Sequence, residues 1–245
     1  MGHIEFVGPP GAGKTTIFKE VIKTDGIYGG IDCGAVRRMC WSKNDVRYRV
    51  LGSLMRILPK SVAERIGVIF LEYSFSRDHI LSFISNHRRI LHTAYKDVGT
   101  ATEKAELLHN LWKSIEVYSI GKKTRHNNET LCLDEGFYQS AISIGYRKTN
   151  SNTPHHDYFK VLPDPLLLIY VHAPFDMLIK RQKQRVSEVL SENDQCNVIE
   201  SCSDIIDVAH SRDIDVCKIC NDTSISQSVE KAVSYINENK KNLKS

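Results

Sequence analysis

No apolar run in the chain reaches the roughly 20 residues needed to cross a bilayer; the strongest, Leu166 to Val171, is far shorter. The N-terminal residues enter a strand-like pattern directly, without the basic, apolar and cleavage regions of a secretory signal, so a cytoplasmic location is expected. Phe6 stands where a myristoylation motif after Met1-Gly2 requires Ser or Thr. Charge of one sign is scarce: 33 Lys and Arg against 29 Asp and Glu leave a net charge of +4, too weak and dispersed for a nucleic-acid partner. H-E-x-x-H, G-x-G-x-x-G and a nucleophile elbow are all absent, and the ten histidines are scattered, with His155-His156 reading as a solvated loop pair. Seven cysteines, an odd number, read as reduced, mostly buried thiols. Cys217 and Cys220, with Cys196, Cys202 and His210 upstream, fit no regular zinc spacing, and residues three apart on a strand face opposite ways.

What remains is an ordinary globular composition, 25% charged and 41% hydrophobic, in 245 residues. That length suits one domain with a full core. Ile4 to Val7 reads as a buried strand, ended by Gly8-Pro9-Pro10-Gly11, and a helix follows from Lys14 through Val21 and Ile22. Gly26 to Gly34 reads as an irregular loop or short strand. Arg37 to Ser119 is mostly helical, with Ile80, Phe83, Ile84 and Leu91 on one face and Leu108, Leu111, Trp112 and Ile115 on another. Thr130 to Leu133 is a second strand, ending in Asp134-Glu135-Gly136. Pro163-Asp164-Pro165 precedes the strand Leu166 to Val171, and Pro174 opens a helix carrying Lys180, Arg181, Lys183 and Arg185. Val198, Cys202, Ile205, Ile206 and Ala209 mark another amphipathic helix, and Ile214 to Ile219 a last strand. The closing helix, with Ile225, Val229, Ala232, Val233 and Ile236 on one face, has Ser224 and Gln227 as a capping box. Strands alternating with helices predict an α/β fold with a parallel sheet and right-handed crossovers.

Gly8-Pro9-Pro10-Gly11-Ala12-Gly13-Lys14-Thr15 satisfies G-x-x-x-x-G-K-[ST] after a strand and at the opening of a helix. Glycines let backbone N–H groups reach phosphate oxygens, and the helix N-terminus adds positive potential. Lys14 is expected on the β- and γ-phosphates and Thr15 on magnesium, which makes ATP and Mg²⁺ the expected cofactors. Asp134, at the end of an apolar strand, is the candidate to orient magnesium or take the acceptor's proton, with Glu135 second. Arg181 and Arg185, one helical turn apart, are candidates to stabilise charge on the transferred group. Arg37, Arg38, Arg77, Arg88 and Arg89 lie in the helical stretch, where one or two could hold an anionic acceptor.

The chain thereby resembles the P-loop nucleoside and nucleotide kinases, most of all the thymidylate-kinase-like branch. Gly8 to Thr16 is similar to its phosphate loop. Leu133 to Ser140 matches the place of its Asp-Arg pair followed by an aromatic residue and a serine, and Pro163 to Arg185 its run into the lid. The resemblance implies a three-layer P-loop fold in one domain over residues 1–245, a helical acceptor-side insertion at about 37–120, and a lid at about 176–197. It implies nucleotide-binding roles for Gly8, Gly11, Ala12, Gly13, Lys14, Thr15 and Thr16, and places Asn221 and Asp222 near the base. Glu135 replaces the arginine that helps that family hold an acceptor phosphate, so a nucleotide, nucleoside, sugar or other hydroxyl compound remains open as acceptor. A hydrolase coupled to a partner is the competing reading, since Asp134-Glu135 is also the acid pair of such motors. No L-S-G-G-Q precedes it and no N-K-x-D specifies guanine.

Overall fold

The computed structural model describes residues 2–29, 50, 53, 85, 100–124, 126, 129–145, 159, 162–184, 190–222 and 224–242. Five strands alternate with six helices among them: β1 (Ile4–Val7), α1 (Lys14–Val21), β2 (Ile27–Tyr28), α2 (Ala101–Thr124), β3 (Thr130–Leu133), α3 (Phe137–Gly145), β4 (Leu167–His172), α4 (Phe175–Lys183), α5 (Glu192–Ser211), β5 (Asp215–Cys220) and α6 (Ile225–Asn242). The sheet order is β2-β3-β1-β4-β5, and every pairing is parallel. No described helix is long and apolar enough to cross a membrane.

Strand alternation divides the core in two. Ile4 and Phe6 of β1, Leu167, Ile169 and Val171 of β4, and Cys217 and Ile219 of β5 pack with α1, α4 and α6. Val7 of β1 and Leu168 of β4 face the other way, against Leu111 and Ile115 of α2, Phe137 to Ile142 of α3 and Val198 to Ala209 of α5. The result is the three-layer arrangement that the resemblance implies, with the parallel sheet that the alternation of elements predicts covered on both faces. Cys217 is buried and Cys220 exposed, as alternation along β5 requires.

Three boundaries or faces differ from the sequence reading. β4 begins at Leu167 because the Leu166 N–H is directed to the His3 carbonyl (2.7 Å), at the edge of the ladder. β5 begins at Asp215 because the chain before it closes α5. Ile214 N–H bonds Ala209 C=O (3.0 Å) and Asp213 N–H bonds His210 C=O (3.1 Å), with Asp213 at φ 56°, which together form a Schellman motif. On α2, Leu111 and Ile115 are buried but Trp112 is 40% exposed. The inward place beside Leu111 and Ile115 goes to Ser114, whose hydroxyl meets the carbonyls of Asn110 (3.0 Å) and Glu135 (3.2 Å). Of the predicted capping box at α6, the Gln227 N–H to Ser224 Oγ limb is formed (3.3 Å).

The sheet order determines where chemistry can occur. β1 lies between β3 and β4, so the chain switches sides there, and the loops leaving β1 and β3 open onto one crevice at the C-terminal edge. Of the predicted acceptor-side stretch 37–120, residues 101–120 belong to α2, whose buried residues are part of the main core. Arg37, Arg38, Arg77, Arg88 and Arg89 lie outside the described residues, as do Ile80, Phe83, Ile84, Leu91 and His155-His156.

Candidate functional site

The loop after β1 reverses tightly into α1. Gly13 precedes that helix with φ 91°, a left-handed conformation costly for any residue with a Cβ, and a Cβ there would collide with Asn221 Nδ2. Its carbonyl starts the helix by accepting from Thr16 N–H (3.1 Å) and Ile17 N–H (3.0 Å). Lys14 is buried, and its ammonium folds back to donate to the Gly8 carbonyl (2.7 Å) and the Pro9 carbonyl (3.4 Å). A cation is thus held over the hollow of the loop.

The outer side of the loop is gripped by side chains from two other segments. Asn221, just past β5, donates Nδ2 to Ala12 C=O (2.8 Å). From α4, Gln182 donates to Pro10 C=O (3.3 Å), and Arg181 donates to Gly11 C=O (3.4 Å) and Asn221 C=O (3.1 Å). In a trans peptide the carbonyl and the following N–H point opposite ways. Outward carbonyls at Pro10 and Ala12 therefore turn the N–H groups of Gly11 and Gly13 inward, the arrangement an anion needs. Gln182 also donates to Gln195 Oε1 of α5 (2.6 Å) and accepts from Leu190 N–H (3.3 Å), so α4 and α5 are tied together behind the loop.

β3 delivers Asp134 and Glu135 beside this loop. Asp134 is partly buried, and burial raises its pKa above the usual carboxylate range, with Glu135 adding to the rise. A hydrogen bond from the Thr15 side chain and the charges of Lys14 and Lys19 oppose it. Oδ1 of Asp134 is buried without a hydrogen-bond partner. An acceptor oxygen left open beside a threonine hydroxyl is a donor set that suits Mg²⁺, which takes hard oxygen ligands. Thr15 and Asp134 therefore fit the ion that the loop implies.

A cavity of about 500 Å³ joins these groups: Gly11, Gly13, Lys14, Thr15, Asp134 and Glu135 all line it. Asn110, Lys113 and Ser114 of α2 and Gln139, Ser140 and Ser143 of α3 form its other side. Its volume is in the range of sites for small organic ligands.

The structure thus brings together Gly11, Gly13, Lys14, Thr15, Asp134 and Glu135 around one space. Gly8, Ala12 and Thr16 belong to the same loop and the first turn of its helix. Arg181 lies behind the loop, on its carbonyls. Arg185 lies outside the described residues. Asn221 is 2% exposed and braces Ala12, while Asp222 sits next to His172 and the Cys220 thiol.

Sequence reasoning overlooked Glu5, His3, Gln139, Gln182 and Gln195. Glu5 did carry a signal, because a lone acid inside a buried strand must find partners. It is fully buried, and its carboxylate accepts from Phe137 N–H (3.0 Å), Tyr138 N–H (2.8 Å) and His3 Nε2 (2.7 Å). The glutamines carry no such signal, since a neutral amide at these positions fits a solvated surface as well as a buried contact.

Comparison with known proteins supports the same architecture. No protein-family model matches the chain, and no curated protein matches it. Among solved structures, the chain is similar to deoxyadenosine kinase from M. mycoides. With products dCMP and a flexible dCDP bound, the TM-score is 0.53 at 15% identity, covering 96% of this chain and 99% of that one. The dATP-bound form gives 0.51 at 14% identity, with 97% and 100% covered. The dCTP-bound form gives 0.50 at 14%, with 96% and 99% covered. At this identity the likeness is one of fold: the chain has the α/β P-loop architecture of those nucleoside kinases.

Proposed function

We propose that the chain is an ATP- and Mg²⁺-dependent kinase that transfers the γ-phosphoryl group to a hydroxyl of a small acceptor, a nucleoside or nucleotide. The observation that carries this reading is the continuous cavity of about 500 Å³ that runs from Lys14 and Thr15 past Asp134 and Glu135 to the polar faces of α2 and α3. A phosphate loop that only hydrolyses needs room for water; this one opens onto space for an organic acceptor. The neighbouring folds, crystallised with deoxynucleotides, favour a nucleoside or nucleotide in that space.

In this reading the triphosphate lies in the loop, with the inward N–H groups of Gly11 and Gly13 and the Lys14 ammonium on its oxygens. Thr15 and Asp134 would hold Mg²⁺, which would supply charge neutralisation at the phosphates. The acceptor hydroxyl is placed in line by the α2 and α3 side. Its oxygen bonds to the γ-phosphorus, the bond to the β-phosphate oxygen breaks, ADP leaves, and the hydroxyl proton passes to Asp134 or Glu135. Arg181 and Arg185, from the lid at about 176–197, stabilise the developing charge; for Arg181 this requires leaving the Gly11 carbonyl. Asn221 and Asp222 flank the base. The domain is single, 1–245, with its acceptor side in about 37–120. Sequence pattern sets the chain beside the thymidylate-kinase-like branch, with Glu135 changing how the acceptor is held.

A second reading, an NTPase that couples hydrolysis to a partner, draws on the adjacent acids Asp134 and Glu135 at the cavity wall. An acceptor screen with γ-labelled ATP and Mg²⁺ separates the two. Transfer of label to a nucleoside or nucleotide is expected. Hydrolysis indifferent to every nucleoside, nucleotide and sugar, but stimulated by a protein partner, overturns the kinase reading.

A further inference from the structure

Helix α3 has an unusual start. A side chain at the residue before a helix normally caps its first N–H groups, and here that residue is Gly136, which has none. The cap comes from the middle of the sheet. Glu5, 0% exposed on β1, accepts the N–H groups of Phe137 and Tyr138 on its two carboxylate oxygens, and His3 Nε2 takes a further bond to Oε1. A Cβ on residue 136 would collide with that carboxylate. Burying a carboxylate is costly unless partners compensate it, and here two backbone N–H groups and His3 do so. The Glu5 cap therefore also contributes to stability. Its geometric consequence is specific: the first turn of α3 is keyed to the strand that ends in the phosphate loop.

The same first turn returns the contact. Gln139 Oε1 accepts from the N–H of Gly8, the first residue of the loop (3.0 Å), and Gln139 also lines the cavity. β1, Glu5, the first turn of α3, Gln139 and Gly8 thus form a closed circuit, with the Asp134-Glu135 bend entering it through Gly136. We propose that Glu5 is a positioning residue, which acts through Gln139 to hold the entrance of the phosphate loop in register with the acidic bend. This deepens the proposed function and rests on it for the identity of the ligand.

The test uses the full chain, Mg·ATP as probe and calorimetric titration well below each variant's melting midpoint. Glu5→Gln and Gln139→Met are each expected to weaken Mg·ATP about tenfold. Contacts in series do not add, so the double variant is expected to bind no more weakly than Glu5→Gln alone. A lower melting temperature with unchanged Mg·ATP affinity would show that Glu5 is merely structural. Multiplying losses in the double variant overturn the circuit as well. If Glu5→Gln does not fold, Gln139→Met decides by itself, and unaltered affinity there overturns the proposal. Failure of the unaltered chain to bind Mg·ATP overturns the proposed function and this inference together, whereas binding retained in both variants overturns this inference alone.

Discussion

Lys14 and Asp134 carry opposite charges into one cavity, and each has a distinct reason to be there. The Lys14 ammonium rests on the carbonyls of Gly8 and Pro9, at the wall of the cavity. Lys14→Ala is expected to lower turnover by about 10²–10³-fold, the usual scale for removing one preorganised charge. A steady-state assay with saturating acceptor measures it, and a rate near that of the unaltered chain contradicts the placement of phosphate at this loop. Asp134 is held partly out of water with one oxygen open. Asp134→Asn keeps the shape and loses the charge. Turnover is expected to fall by about 10²-fold or more while ATP affinity without Mg²⁺ stays within a few-fold. Kinetics beside equilibrium binding of metal-free ATP check this, and an unchanged rate moves the acid role to Glu135.

At the scale of elements, the segments behind the loop matter more than those forming it. α4 and the turn after β5 contribute no cavity-lining group, yet Arg181, Gln182 and Asn221 occupy the carbonyls of Pro10, Gly11 and Ala12. Their contacts span sequence separations of about 170 to 210 residues, so local patterns are silent about them. α5 shows the reverse case, an end set by local rules. Ser191 caps its start by accepting from Asp194 N–H (3.1 Å), and a Schellman motif closes it at Asp213. Aspartate at φ 56° carries a steric cost that glycine avoids. Asp213→Gly is therefore expected to stabilise the chain by about 0.5–1 kcal/mol in denaturant unfolding, with activity unchanged, since the position lies at the opposite edge of the sheet from the phosphate loop. A loss of stability would mean that the Asp213 side chain contributes more than its backbone strain costs.

For the whole molecule, the loop, the acidic bend and the α4–α5 pair meet only when the sheet is assembled, so ligand and fold should be linked. Mg·ATP at 100 times its dissociation constant is expected to raise stability by about 2.7 kcal/mol, seen as a higher melting temperature that excess EDTA reduces and Lys14→Ala abolishes. A melting temperature indifferent to Mg·ATP contradicts the site. The fold itself was largely legible. β1 and β3 begin and end where their apolar runs do, and the helices α1, α5 and α6 follow their periodic faces, except that Ile225, in the first turn of α6, is 44% exposed. Trp112 was not legible, because a three- and four-residue spacing fits more than one stripe and packing against α3 selects Ser114 for the interior. In the candidate site, the glycine loop and the acid at a strand end were readable because close backbone approach demands glycine and an acid after an apolar run stands out. The glutamine contacts were not.

The amino-acid sequence by itself determined a phosphate loop at Gly8–Thr15 and an acid at the end of an apolar strand, since both are local demands of chemistry on neighbouring residues. Only the tertiary structure decided that β3 lies next to β1, which brings Asp134 to Thr15, and that Arg181 and Asn221 stand behind the loop rather than over it. Only it decided, too, that Glu5, an acid within an apolar strand, caps a helix more than a hundred residues away. The physical reason is the same in each instance. A parallel sheet pairs strands across long crossovers, so its side-chain partners are selected by burial and hydrogen-bond satisfaction in three dimensions, not by spacing along the chain.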